Sequence, residues 1–463
     1  MLGDRHDPIV AVATASGKGA IGVVRASANG LHELAERLLG RAPQARRATL
    51  IDLKDETGQP IDQVLMLWFP APHSYTGEDV LELQGHGGPW VMQRLMSHLL
   101  ALSESMGRSM RLARPGEFTE RAFLNHKLDL AQAEAIADLI DASTEQAARS
   151  AARSLTSGLS HAVAGLRDDL IHLRMWVEAS LDFPEEDIDF LKQSQAKSKH
   201  QALLQQTHRL LAQARQGSLL REGIRLVILG QPNAGKSALL NALAGRERAI
   251  VTDVPGTTRD VLEESLSFKG VPIHLIDTAG LRQDTHDVVE QIGMERTWEQ
   301  VDQADAIVWL RDASRATDPL AIQADERIAR QLKKRLTHAI PVLEVWNKLD
   351  ATPGFVRPEA SWGISAKHRQ GLEALVDAVL HTVGWEAAQQ EGVFMARERH
   401  VRALQQVSSH LDHAGECLAS DAMPLELLAE ALRQAQLALD QITGTFTADD
   451  LLGEIFAGFC IGK

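Results

Sequence analysis

The sequence predicts a multidomain α+β chain: an N-terminal α+β domain, then a helical domain into which an α/β domain is inserted. Three observations predict it. At 463 residues the chain exceeds what one core holds, and typical domains of about 150 residues would make it about three domains. The hydrophobic period changes from mixed to helical after Arg114-Pro115-Gly116, from helical to β-branched strands near Gly223, and back to helical after Gly392. A glycine-rich phosphate-loop pattern stands just inside the middle stretch, from Gly230 to Ser237.

Residues 1–125 mix short β-rich runs (Ile9 to Ala13, Ile21 to Arg25, Val64 to Phe69, Val80 to Leu83) with helical stretches from Gly30 to Leu39 and Val91 to Leu102. From residue 126, Leu128, Ala131, Ala135 and Leu139 recur at helical spacing, and Ser143 with Gln146 resembles a capping box. Leu155, Leu159, Ala162, Leu166, Leu170, Leu173, Val177 and Leu181 then form one apolar stripe along one long helix. The acidic run Asp182 to Asp189, with Pro184, reads as a helix start rather than a cation site. The first helical part thus covers 126–222 and the α/β insert 223–386. The second helical part, 387–463, carries Leu425, Leu428, Leu432, Ala435, Leu439 and Ile442 three and four apart. Two apolar stripes on either side of a self-contained insert are expected to pack on each other.

Composition narrows the function. An apolar fraction of 44% and a charged fraction of 24% exclude a wholly disordered or fibrous chain. A formal charge of -14 repels polyanions, so nucleic acid would need a local site. Two cysteines, Cys417 and Cys460, cannot build a disulfide framework or a four-ligand zinc site, which suits a reducing cytoplasm. The N-terminus has no signal-peptide design, and no apolar run reaches the ~20 residues that span a bilayer, so no membrane role is expected.

The chemistry lies in the insert. Gly230-Gln231-Pro232-Asn233-Ala234-Gly235-Lys236-Ser237 follows the apolar strand Leu226 to Leu229 and runs into a helix-prone segment. Glycines let backbone N–H groups wrap phosphate oxygens, Lys236 reaches the β- and γ-phosphates, and Ser237 suits Mg²⁺. Asp277-Thr278-Ala279-Gly280 ends a second strand, where Asp277 can hold Mg²⁺ through water and the Gly280 N–H can sense a γ-phosphate. Asn347-Lys348-Leu349-Asp350 ends a third, and its last carboxylate can accept the N1 and 2-amino protons of guanine, which adenine lacks. Ser365-Ala366-Lys367 completes the expected order for GTP. Leu281 stands where Ras-like switches place a water-orienting glutamine, and no arginine finger is identifiable. Asn233 offers a neutral amide oxygen, and Thr252 to Asp260 a loop with spare carbonyls, so a monovalent cation could replace the finger.

With Gly256-Thr257-Thr258-Arg259-Asp260, the run Arg114 to Leu124 (Arg-Pro-Gly-Glu-Phe-Thr-Glu-Arg-Ala-Phe-Leu) and the terminal Cys460-Ile461-Gly462-Lys463, the sequence resembles the MnmE (TrmE) family of tRNA-modification GTPases along essentially its whole length. The resemblance implies a K⁺-dependent GTPase that forms a homodimer and acts on the wobble uridine (position 34) of tRNA. It would install an aminomethyl or carboxymethylaminomethyl group at C5, with an FAD-dependent partner resembling GidA (MnmG) and a one-carbon unit from a reduced folate (5-formyl- or methylene-tetrahydrofolate).

It implies K⁺ at Asn233, Thr252, Val254 and Thr257, Mg²⁺ at Ser237 and Thr258, and Glu290, anchored on Ile292-Gly293, as the residue that orients water. Motifs and resemblance together make Asn233, Ala234, Gly235, Lys236, Ser237 and Ala238 nucleotide contacts, with Thr252, Asp253, Val254, Pro255, Gly256, Thr257 and Thr258. Asp277, Thr278, Ala279, Gly280, Asn347, Lys348, Asp350, Ser365, Ala366 and Lys367 complete that set. The N-terminal domain would be a folate-binding, dimer-forming domain with contacts from Arg25, Glu82, Lys127 and Lys463, and Cys460 would be a functional thiol. Lys18 stands where relatives often have arginine, and His86, flanked by glycines, reads more as a turn residue than a catalytic one and is left unassigned. The alternative is a GTP-switched ribosome-assembly factor without covalent chemistry, which a KH-type Gly-x-x-Gly module would favour; none is evident outside the insert.

Overall fold

The computed structural model describes residues 7–182, 193–245, 263–277, 301–336, 340–386, 392–420, 424–444, 455–456, 459 and 462. The acidic run expected to start a helix lies, from residue 183 on, outside the described residues. Two compact units divide the chain: residues 1–137 with 437–463, and residues 138–436.

In the first unit, β1 (Ile9–Val12), β2 (Ile21–Ala28), β3 (Thr49–Lys54), β4 (Pro60–Phe69), β5 (Asp79–His86) and β6 (Arg111–Leu112) form one sheet. Their order is β3-β4-β5-β2-β1-β6, antiparallel except for β1 beside β6. One face, with Val24, Ala26, Leu81 and Leu83, shares a core with Leu34 of α1 (His32–Leu39) and Leu95 and Leu99 of α2 (Pro89–Ser105). Strand side chains alternate, so Arg25, Ser27 and Glu82 face the other way. Register sets Arg25 directly opposite Glu82. On that face Phe118 of α3 (Glu117–Leu124) packs with Ile9, Ala11 and the partly buried Tyr75. Gly116 opens α3 at φ 68°, and a Cβ there would lie 2.6 Å from the Phe456 carbonyl, so only glycine admits the C-terminal segment here.

Beside this face a buried charge cluster fixes α3. Arg111 grips Glu117 with two hydrogen bonds of 2.7 and 2.9 Å, and Arg121 bridges Glu117 (3.0 Å) to Glu78 (2.9 Å), which also accepts from the Ser27 hydroxyl. Burial pushes the Glu117 carboxyl up, but the Arg111 fork, the Arg114 N–H and Arg121 outweigh it and hold the pKa at about 2.

The helices continue with α4 (Leu130–Asp141), α5 (Glu145–Leu155), α6 (Gly158–Asp182) and α7 (Gln193–Glu222). Two details differ from the sequence reading. The cap of α5 is Thr144, not Ser143: its hydroxyl oxygen accepts from the Ala147 N–H while its proton goes to the Gly270 carbonyl, a partner distant in sequence. The stripe starting at Leu155 is also broken, because Thr156 bonds back to the Ala152 carbonyl and Ser157 adopts φ 72°, so α6 starts afresh at Gly158. From there Leu159, Val163, Leu166, Leu170, Leu173 and Val177 form the buried stripe.

The insert follows α7. Strands β7 (Ile224–Gly230), β8 (Glu263–Phe268), β9 (Val271–Asp277), β10 (Ala306–Asp312), β11 (Val342–Asn347) and β12 (Trp362–Gly363) stand in the order β12-β11-β10-β7-β9-β8, parallel except for β8. The order reverses beside β7, the position at which such sheets open a ligand crevice at their carboxyl ends. Among its described residues it also has helices α8 (Lys236–Ala244), α9 (Pro319–Arg335) and α10 (Leu372–Thr382). The insert is not self-contained. One buried cluster runs from Leu226, Ile228, Val308 and Leu239 to Ala151 of α5, Leu220 of α7 and Met395 on the returning chain.

After the insert come α11 (Glu398–Ala419) and α12 (Leu425–Thr443). The two helical parts meet in α7 against α11, neither of which carries the stripes read from the sequence: His200 bonds the Leu411 carbonyl at 2.6 Å, and Gly415 leaves room for that ring. No helix among the described residues is long and apolar enough to cross a membrane.

Folding lowers the Glu117 pKa, so its stabilisation is complete above the unfolded value of about 4.5 and is lost as pH falls towards 2. Glu117→Gln is expected to cost about 3 kcal/mol at pH 7. Urea titrations of both proteins should show the gap narrowing as pH falls from about 4.5; a pH-independent gap would refute the assignment.

Candidate functional site: a phosphate loop joined to a base loop

β7 runs into a loop whose backbone needs its glycines. Gly230 passes so close to β10 that a Cβ would lie 2.3 Å from the Leu310 carbonyl. Asn233 and Gly235 take φ of 64° and 96°. The loop ends in α8, with Ala234 buried beneath it and Ser237 and Ala238 exposed in the first turn. Backbone N–H groups and the positive helix end therefore converge where an anion would sit. Lys236 donates to the carbonyls of Gly230 (2.7 Å) and Gln231 (3.1 Å), folded over its own loop.

At the same sheet edge β11 ends in Asn347, which is almost fully buried. Its Nδ2 donates to the Ala234 carbonyl at 2.9 Å, and its Oδ1 accepts from the Ala366 N–H at 3.0 Å. One carboxamide thus ties the phosphate loop to the Ser365-Ala366-Lys367 loop. Gly235 makes this possible, since a Cβ there would fall 2.3 Å from Asn347 Nδ2. Lys348 (φ 66°) turns its ammonium to Asp312 at 2.7 Å. Asp350 accepts from the Ser365 hydroxyl at 2.6 Å, and that bond chiefly holds its carboxyl below the ordinary range. Lys367 is exposed beside it.

Asp277 ends β9, the parallel neighbour of β7; its side chain lies outside the described residues. So do Thr252, Asp253, Val254, Pro255, Gly256, Thr257, Thr258, Thr278, Ala279, Gly280, Glu290, Cys460 and Lys463.

In the first unit the structure brings Arg25 and Glu82 together at 2.9 Å, both partly exposed. The guanidinium lies 5.5 Å from the Tyr75 ring and 5.8 Å from Phe118, and it reaches the Gly462 carbonyl, next to Lys463, at 3.5 Å. Lys127 donates to the Pro72 carbonyl at 3.1 Å and packs near Gly77, so the 72–77 loop carries Tyr75 at one point and Lys127 at its ends. Tyr75, hydrogen-bonded to Thr119, and Asp312, partner of Lys348, were not singled out from the sequence. Neither belongs to a motif that would mark it, and their pairing depends on partners distant in sequence. His86 is not a turn residue: it ends β5 and its Nδ1 meets Asp62 at 2.7 Å.

Strand, glycine loop and helix, with a buried asparagine joining that loop to a second one at the same edge, define a Ras-like P-loop domain carried within a helical domain. Residues 130–460 match the MnmE helical domain, and residues 8–127 match the N-terminus of the GTP-binding protein TrmE. The tRNA modification GTPase MnmE of Acidovorax sp. (strain JS42) is 54% identical over 468 residues, and that of Polaromonas sp. (strain JS666 / ATCC BAA-500) is 55% identical over 480, each covering 100% of both chains. Among solved structures, Era from Aquifex aeolicus is 25% identical over 40% of this chain and 66% of its own, with a TM-score of 0.28. The chain belongs to the MnmE (TrmE) family of tRNA modification GTPases.

Asn347→Ala strands the Ala234 carbonyl and the Ala366 N–H, at about 1–3 kcal/mol for such buried groups. Calorimetry should show the melting temperature lowered by several degrees. An unchanged melting temperature would mean that the tie bears no strain.

Proposed function

We propose that the chain hydrolyses GTP to GDP and phosphate to drive C5 modification of the tRNA wobble uridine. The observation that carries the nucleotide reading is the Asn347 tie, which seats Asp350 and Ser365 at the sheet edge occupied by the phosphate loop. An ionised Asp350 accepts two donors from guanine and offers adenine nothing, and family membership supports tRNA modification as the task. Among the described residues the exposed Asn233 carboxamide makes no hydrogen bond, so its neutral oxygen is chemically fit for a hard monovalent cation. Ser237, exposed in the first turn of α8, is likewise fit for Mg²⁺. When bound, these ions would neutralise charge that develops on the transferred phosphoryl group. The chain's own part is to hold Lys236 and the loop amides in place and to orient water through Glu290.

The same reading takes residues 1–125 as a folate-binding, dimer-forming domain, 126–222 and 387–463 as the helical domain, and 223–386 as the G domain. Arg25, Lys127 and Lys463 would meet the carboxylates of a reduced folate, and Glu82 its aminopyrimidine edge. The Arg25–Glu82 pairing and the approach of Arg25 to the chain end at Gly462 support that grouping. A homodimer would work with a GidA (MnmG)-like FAD-dependent partner in the cytoplasm, with Cys460 as a functional thiol near the modification site. The half-buried Cys417, a free thiol on α11, is left to packing.

Three measurements test this. Replacing K⁺ by Na⁺ should lower GTPase turnover strongly, and equal rates would remove the cation mechanism. Asp350→Asn should weaken GTP binding roughly 100-fold or more while improving that of xanthosine triphosphate, whose 2-carbonyl accepts from the new amide; unchanged GTP affinity would move the base contact elsewhere. Loss of C5-modified wobble uridine from cells lacking the protein, read by mass spectrometry, would test the tRNA task.

A further inference from the structure

Behind the phosphate loop, a polar chain that the hydrolytic reading does not use joins it to β10 and β11. The Gln231 amide donates to the Ala321 carbonyl at 2.7 Å and to Asp325 Oδ1 at 2.6 Å. Asp325, on α9, is nine-tenths buried, and its other oxygen accepts from Arg311 at 2.8 Å. Arg311, on β10, donates onward to Glu344 at 2.6 Å and lies 4.0 Å from the ring of Trp346, the residue before Asn347. Asp325 is buried and its partners Gln231, Arg311 and Glu344 are partly so, and polar bonds shielded from water in this way are costly to lose.

We infer that Asp325 is a positioning residue for nucleotide binding, acting through Gln231. The argument is geometric. Lys236 donates to the main-chain carbonyl of Gln231, so the orientation of that peptide sets where the ammonium waits. That peptide lies between Gly230, paired with Leu310 of β10, and Asn233 at φ 64°, and its own side chain ties it to α9. Asp325 fixes the anchor. Arg311, clamped between two carboxylates and stacked on Trp346, fixes Asp325 against the strand that delivers Asn347 and Asp350. The phosphate side and the base side of the crevice are therefore tied twice: once by the buried Asn347 carboxamide, and again by Gln231, Asp325 and Arg311. The inference rests on the nucleotide reading of this crevice.

The test is titration of the full chain with mant-GDP, comparing wild type, Gln231→Ala, Asp325→Ala, Asp325→Asn and the Gln231→Ala/Asp325→Ala double variant, each with its melting temperature. Gln231→Ala and Asp325→Ala should each weaken binding about fivefold, the value of one hydrogen bond. The double variant should be no weaker than Asp325→Ala, since both break one link. Asp325→Asn keeps an oxygen for the Gln231 amide but turns a donor towards Arg311, so it should bind more weakly than wild type and clearly better than Asp325→Ala, a partial rescue that mere loss of stability would not give. Additive losses, or an asparagine variant as weak as the alanine one, would overturn the inference. So would wild-type affinity in a folded Gln231→Ala. If Asp325→Ala does not fold, Gln231→Ala and the near-isosteric Asp325→Asn decide the matter. Failure of wild type to bind mant-GDP would instead indict the nucleotide reading itself.

Discussion

The crevice depends on one buried carboxamide. Asn347 has its donor spent on Ala234 and its acceptor on Ala366, so two loops more than a hundred residues apart in sequence share a single rigid part. A carboxylate could not donate to the Ala234 carbonyl, a lysine could not accept from the Ala366 N–H, and a glutamine would be one methylene too long. The glycine at 235 exists for this contact as much as for a phosphate: its missing side chain is the space in which the carboxamide lies. Geometry that looks like ligand binding is in this sense also internal packing.

The first unit obeys a different constraint, the two-residue period of a strand. Val24 and Ala26 go to the core, so Arg25 and Ser27 must go to the opposite face, where Glu82 stands across from Arg25 by register. Charges that look costly inside a small domain are here made compatible with burial by mutual pairing: Glu117 with Arg111 and Arg121, and Glu78 with Arg121 and Ser27. The cluster holds α3, and α3 holds Phe118 beneath Arg25. Candidate ligand groups on this face are consequently positioned by side chains that themselves touch no ligand.

Local rules made much of this legible. The phosphate loop, the strand before it and the helix after it follow from glycine spacing and one apolar run, and the helical parts from three-and-four spacing. What sequence did not disclose was set by partners far along the chain. Ser143 and Thr144 are equally good caps by composition; Gly270, more than a hundred residues away, favours the second. The break at Ser157 lies inside an unbroken apolar periodicity, because the leucine pattern continues across the turn between α5 and α6. Pairing of Arg25 with Glu82 required the register of two strands, and the link from Gln231 to Asp325 joins residues with no common motif.

Where the α/β insert leaves and rejoins its host has an evolutionary implication. Gln216 on α7 grips the Gly384 carbonyl and the Glu386 N–H, and Gly217 lies so close to Phe394 that any side chain would collide with its carbonyl. The two crossing points are therefore side by side, and a few residues would suffice to bridge them if everything between were deleted. Such an excision would still leave a wound: Ala151, Leu220 and Met395, now covered by strands, would face water. A host descended from an ancestor without the insert must have been resurfaced when it acquired its passenger, and a minimal version made today would need those positions turned polar before it stayed in solution.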